Sequence, residues 1–214
     1  MADVPPSDGR AEVTGLFATP LIRHRMPNAA ALNAALAQAI CERRSGDTGI
    51  QRSNAGGWHS DTRLFEWAGE ASHELARAVI TLADAHTQDV RAEALGRRGW
   101  LLEGWANING QGAANVQHSH GATYWAAVYF VQAEADGGGR LRLHDPRLPA
   151  LDMHAPDLRF ADCQPEQLHE IVPEPGLLVM FPGWLGHSVT SWHGESERIS
   201  IAINLTARPR QPAR

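Results

Sequence analysis

The chain predicts an α+β, mainly β fold, and a change of period along it carries that prediction. In roughly the first 90 residues, apolar side chains recur every third or fourth position, the period of a half-buried helix. From Trp100 onward they alternate, the period of a strand with one buried face. Turn-forming clusters such as Gly137-Gly138-Gly139 and Pro173-Glu174-Pro175-Gly176 punctuate the second half. Helices first and many short strands after favour an α+β chain.

Each element has its own signal. Val13 to Arg25 reads as a short strand and turn, with Phe17, Leu21 and Ile22 as its apolar members. Pro27-Asn28 starts a helix in which Leu32, Leu36 and Ile40 form one stripe. Gly46 stops it after Arg43 and Arg44. A second helix is expected from Ser72, a plausible N-cap, to about Arg91, with Leu75, Val79 and Leu82 on its apolar side. Then Leu101, Glu103, Trp105, Asn107 and Asn109 share one face of a strand. Thr123 to Gln132 is β-branched and aromatic, as strands prefer. Leu141, Leu143 and Asp145 share a face before Pro146 ends that strand. Leu177 to Phe181 reads as a buried strand. In Glu197 to Leu205, Arg198, Ser200, Ala202 and Asn204 lie on one face and Ile199, Ile201, Ile203 and Leu205 on the other.

Composition bounds the function. The 214 residues, 43% hydrophobic and 20% charged, suffice for one sizeable core. The reading is a flexible N-terminus over 1–12, a single domain over 13–206 and a flexible tail over 207–214. A formal net charge of −5 with no long basic run argues against nucleic acid and anionic membrane as partners. The start has no signal-peptide pattern, and no apolar run is long enough to span a bilayer. Two cysteines far apart, Cys41 and Cys163, indicate no disulfide framework and fit a reducing cytoplasm. The oligomeric state is not readable.

His118-Ser119-His120, with His187 far downstream and Arg198-Ile199-Ser200 beyond it, carries the chemistry. Residues i and i+2 of a strand project from one face, so His118 and His120 can reach one ion together. His187 follows the strand Leu177–Phe181 and supplies a third imidazole. Iron(II) accepts imidazole and carboxylate ligands and keeps positions open for a cosubstrate and O2. An arginine on an otherwise apolar strand is costly unless it is paired. A guanidinium suits the far carboxylate of a chelating dicarboxylate such as 2-oxoglutarate. The competing reading pairs Arg198 with Glu195 or Glu197 at a strand edge.

These motifs resemble those of the iron(II)- and 2-oxoglutarate-dependent oxygenases, most closely a bacterial branch of small, mostly uncharacterised members. The resemblance spans roughly residues 57 to 205. It runs through Gly57-Trp58-His59-Ser60, Trp105-Ala106-Asn107-Ile108-Asn109 and Asn115-Val116-Gln117-His118-Ser119-His120. It continues through Val128–Val131, Leu143–Arg147, Pro175–Pro182, His187-Ser188-Val189 and Arg198–Asn204. It implies a double-stranded β-helix (a jelly roll, cupin-like) with the N-terminal helices packed on one sheet. It also implies iron(II), 2-oxoglutarate and O2 as cofactor and cosubstrates. His118 and His187 would be metal ligands, and Arg198 with Ser200 the 2-oxoglutarate anchor. The superfamily expects a carboxylate where this chain has His120. The third ligand is therefore His120, Asp145 or water.

Asn109 and Tyr124 are further candidates for the cosubstrate, and Asn107, Trp125, Asp145 and Trp184 for the substrate pocket. No catalytic group beyond the metal ligands is indicated. The expected reaction is hydroxylation of an unactivated C–H of a small molecule or peptidyl side chain, with release of succinate and CO2. Two other classes compete. One is a zinc hydratase or hydrolase on three histidines. The other is a non-catalytic metal-binding jelly-roll module.

Overall fold

The computed structural model describes residues 16–90, 98–148, 157–158 and 167–209. The expectations for residues 1–12, Val13–Gly15, Arg91 and Cys163 lie outside these, as does the end of the tail from 210.

Strand β1 (Ile22–Arg25) precedes helix α1 (Ala29–Ser45), whose stripe of Leu32, Leu36 and Ile40 is buried as its spacing predicts. Gly46 closes it, its N–H donating to the Arg43 carbonyl at 3.3 Å while the Asp47 N–H donates to that of Arg44 at 3.2 Å. Two short strands follow, β2 (Asn54–Ala55) and β3 (Trp58–His59), and then a single turn, α2 (Leu64–Trp67). Helix α3 (Gly69–Ala85) starts three residues before the expected Ser72. Ser72 is buried inside the first turn, its hydroxyl donating back to the Gly69 carbonyl at 2.7 Å. A serine can satisfy itself in this way without capping, which is why it misled the boundary.

The β half comprises β4 (Arg98–Asn109), β5 (Ala114–His118), β6 (Trp125–Gln132) and β7 (Leu141–His144). It ends with β8 (Leu168–Ile171), β9 (Leu177–Pro182), β10 (His187–Val189) and β11 (Arg198–Pro209). One sheet has the order β1-β9-β6-β11-β4-β3 and the other β2-β5-β10-β7-β8; the registered pairs within both are antiparallel. β11 runs on to Pro209, paired with Arg98, so residues 207–209 belong to the sheet and not to a tail.

Two apolar clusters fix the layers. Leu36, Ile40, Leu75 and Val79 of the helices pack on Ile199, Ile201, Ile203, Tyr129 and Met180 of the larger sheet. Phe130, Val179, Phe181, Leu141 and Leu143 fill the space between the two sheets. Burying each such side chain stabilises the fold by roughly 1.5–3 kcal/mol. The alternation of β11 links the layers. Its isoleucines face the helices, so Arg198 and Ser200 must face the interior between the sheets.

Candidate metal centre

His118 ends β5, and His187 opens β10 directly opposite it in the antiparallel register. His120 lies two residues beyond β5, outside the strand, and the expectation that it shares a strand face with His118 does not hold. The turn after His118 is instead tied to the β9–β10 connection, with the His120 N–H donating to the Gly183 carbonyl at 2.8 Å. That contact brings the side chain back over the site. One donor nitrogen from each of His118, His120 and His187 lies within 4.8 Å of the others. Among the described residues these three form the one such cluster, and it contains no carboxylate.

Hydrogen bonds fix how the imidazoles present themselves. Nδ1–H of His187 points at the Leu185 carbonyl, 2.9 Å away, and Nδ1–H of His118 at the Val116 carbonyl, 2.8 Å away. With Nδ1 protonated, both Nε2 atoms carry lone pairs towards the cluster, the arrangement that second-sphere carbonyls enforce on metal-bound histidines. Nε2 of His120 is 3.2 Å from Nε2 of His187. A first-row ion bound at ~2.1 Å holds cis donors about 3 Å apart. The donor set fits such an ion. Burial, and then the neighbouring His118, lowers His120 to about 4. Burial also lowers His187 to about 3, against the opposing pull of the Leu185 carbonyl. Both are neutral at physiological pH, as ligands must be.

Arg198 lies deeper, at 1% exposure, between β4 and β6. Its Nη1 donates to Asn109 Oδ1 at 3.3 Å and to Ser200 Oγ at 3.2 Å, and its guanidinium lies over the Phe130 ring. Nε and Nη2 are buried without a partner. Burial pushes the guanidinium down to about 10, so it remains a cation at neutral pH. The alternative edge pairing fails, because Glu197 is engaged by Arg44 at 2.6 Å. Neither carboxylate reaches Arg198, whose Nε and Nη2 have no partner. Gly139, at φ 59°, leaves room for the arginine, since a Cβ there would lie 2.7 Å from Arg198 Cδ.

Asn107, Asn109 and Ser200 are brought together with Arg198 on one interior face. The four other candidates lie off this face. Trp125 is 2% exposed in the helix-side core, its indole N–H donating to Thr87 Oγ1 at 2.8 Å, so it does not wall the pocket. Tyr124 is 51% exposed and packs against Trp100 and Trp125. It is paired through its N–H with Leu205, seven residues and about 23 Å along β11 from Arg198, too far to reach the carboxylate that arginine would hold. Asp145 sits past the end of β7 and binds Arg147 through both carboxylate oxygens, at 2.9 and 2.6 Å, outside the histidine cluster. Trp184 is exposed in the turn between β9 and β10.

Sequence reasoning gave Trp105 no role in the site, and the structure sets it beside His59, a residue of the Gly57–Ser60 motif. The Trp105 ring stacks on His59 at 5.5 Å and meets His120 at 5.8 Å, forming one wall of the site. The signal was present for Trp105, which shares the strand face of Asn107 and Asn109.

Residues 103–204 match the family model described as "Putative 2OG-Fe(II) oxygenase". No curated protein matches the chain. Solved structures with the same fold include a prolyl-4-hydroxylase from Pseudomonas putida, at 18% identity and TM-score 0.60, covering 88% of this chain and 92% of that one. Another is a prolyl hydroxylase from Trichoplax adhaerens in complex with a hypoxia-inducible-factor peptide fragment, at 14% identity and TM-score 0.61, covering 87% and 83%. A third is HygX from Streptomyces hygroscopicus with nickel and 2-oxoglutarate bound, at 13% identity and TM-score 0.58, covering 88% and 83%. All three share the double-stranded β-helix expected here. The histidine cluster and the buried arginine both lie inside the stretch that matches the 2OG-Fe(II) oxygenase model.

Proposed function

We propose that His118, His120 and His187 hold iron(II) and that Arg198, with Ser200 and Asn109, anchors 2-oxoglutarate. The unpartnered Nε and Nη2 of Arg198 carry this reading. They are adjacent donors on one edge of a buried guanidinium, the fork that a carboxylate accepts in bidentate fashion. Left without an anion, a buried cation costs several kcal/mol. Ser200 and Asn109 engage the third nitrogen and hold the fork in orientation.

Iron bound at the three imidazoles supplies the oxygen chemistry, in which 2-oxoglutarate, O2 and a substrate C–H give succinate, CO2 and an alcohol. The chain's own residues do the rest. The carbonyls of Val116 and Leu185 keep the Nε2 lone pairs available. Phe130, Phe181 and Val179 exclude water from the interior. The substrate is a small molecule or a peptidyl side chain. A zinc hydratase would use the same histidines but would leave the two arginine donors without a role.

The test is succinate formation from 2-oxoglutarate by protein incubated with iron(II), ascorbate and O2. Iron-dependent succinate that disappears in His187→Ala supports the reading. Absence of succinate together with absence of metal-dependent 2-oxoglutarate binding by calorimetry overturns it.

A further inference from the structure

We infer that the prime substrate carries a positively charged hydrogen-bond donor, an ammonium or a guanidinium, held by Glu103 and Asn204 at the mouth of the pocket. The inference rests on the oxygenase reading above and names the substrate class of that same site.

The interior face shared by β4 and β11 is a ladder of four registered pairs: Arg198 with Asn109, Ser200 with Asn107, Ala202 with Trp105, and Asn204 with Glu103. Each step spans two residues, about 7 Å. The first two pairs are buried, Trp105 is half-buried and Glu103 is exposed, so the ladder runs from the closed end of the interior to its mouth. His120 meets it at Trp105. The histidines therefore lie at a middle rung, with the arginine anchor on one side and the Glu103–Asn204 rung on the other.

The buried side-chain atoms left without a partner along the ladder beyond the anchor are acceptors. Oδ1 of Asn107 and Oδ1 of Asn204 are buried without a partner, and Asn107 is only 7% exposed. Among the described residues no hydrogen bond or ion pair engages the Glu103 carboxylate. Arg208 lies two residue pairs further out, opposite Gly99. Buried acceptors left unpaired cost about 1–3 kcal/mol each, and a donor-rich ligand relieves that cost. A neutral amide would serve Asn204 but leave Glu103 with less than water gave it, whereas a cation serves both. The charge balance sets where that cation sits. Three neutral imidazoles bring no negative charge to the metal and Arg198 is itself positive, so a cationic group is favoured at the far rung and disfavoured near the histidines.

The test uses the full chain loaded with zinc, which is redox-inert, and 2-oxoglutarate. Ligand-observed NMR at millimolar concentration follows three matched probes: Nα-acetyl-lysine methylamide, its neutral Nε-acetyl form and its anionic Nε-succinyl form. The arginine analogue of the first serves as a guanidinium probe. The expected result is at least about tenfold tighter binding of a cationic probe than of the neutral one. Glu103→Gln should abolish the preference, and Glu103→Lys should turn it towards the anionic probe, with melting temperatures confirming that both fold. Equal binding across charge types, a preference that survives both variants, or no binding of either cationic probe overturns the inference. Calorimetric 2-oxoglutarate binding on the same sample separates the two claims. If 2-oxoglutarate binds and no cation preference appears, only the inference falls. If 2-oxoglutarate does not bind, the oxygenase reading falls and the role of Glu103 is still decided by the variants.

Discussion

Arg198 and Asn109 face each other across β11 and β4, joined by an Nη1–H donated to Oδ1 at 3.3 Å. The partner is a neutral amide, and so is the hydroxyl of Ser200 on the same nitrogen neutral. These contacts orient the guanidinium without balancing its charge, and they leave its Nε–Nη2 edge open. An anchor for a dicarboxylate needs both properties at once. It must be rigid before the ligand arrives and uncompensated until then.

The arginine can therefore be tested by geometry as well as by charge. Arg198→Lys keeps the cation but offers a point charge in place of the planar fork. Charged hydrogen bonds contribute about 1.5–3 kcal/mol each, so the lysine variant should weaken 2-oxoglutarate binding by roughly ten- to a hundredfold. Arg198→Ala should weaken it by at least about a hundredfold. Calorimetry on metal-loaded protein reads both. Unchanged affinity in Arg198→Ala would remove the residue from the anchor role.

Metal binding should collapse when an imidazole is lost. Loss of even an outer hydrogen-bond partner typically costs ten- to a hundredfold in metal affinity, so His187→Ala and His118→Ala should each cost about a hundredfold or more. His187→Gln tests the same point with similar bulk retained against Phe181. Metal content after anaerobic loading measures the effect. Full loading of all three variants would exclude these residues as ligands.

What could be read from the sequence follows the regularity of each strand. β11 alternates strictly between apolar and polar residues, so the direction of Arg198 and Ser200 was readable without coordinates. β6 is buried on both faces along Trp125 to Val131 apart from a partly buried Val128, so it carries no alternation, and Trp125 could not be assigned to the helix side. A register shift between Ile199 and Ser200 where β6 meets β11 further breaks any count of parity. His120 joins the cluster through a loop contact with Gly183, a residue 63 positions away that no periodicity connects to it. The stacking of His59 on Trp105 is non-local in the same sense.

Gly139 is constrained by what it touches. Its φ of 59° is unfavourable for any residue with a Cβ, and that Cβ would press on Arg198 Cδ at 2.7 Å and Trp192 Cε3 at 2.9 Å. Gly139→Ala should cost about 1–3 kcal/mol of stability. It should also displace the guanidinium, weakening 2-oxoglutarate binding. Gly110→Ala, where a Cβ meets nothing within 4 Å, is the control and should change stability by no more than about 0.5 kcal/mol. Equal stability of the two variants would contradict the packing described here.

The buried histidines also set a pH dependence for the metal-free protein. Folded His187 titrates at about 3 and folded His120 at about 4, both below the ordinary histidine value of 6.5. Between those values and 6.5 the unfolded chain binds protons that the folded chain refuses, so stability falls as the pH falls. From pH 7 to pH 5 each histidine should remove about 2 kcal/mol, or roughly 4 kcal/mol together. Carboxylates with lowered values, such as Glu170 beside Arg142 and Arg140, lose their contribution only below the ordinary glutamate value of 4.5, outside this window. Bound metal keeps the imidazoles deprotonated, so the loaded protein should lose less over the same range. Urea unfolding at pH 7 and pH 5, with and without metal, measures the difference. His59 and His144, which burial also holds below the ordinary histidine value, add to the same slope, so His187→Ala should remove only its own share of about 2 kcal/mol. A metal-free protein equally stable at both pH values would mean that these imidazoles are not held neutral by burial.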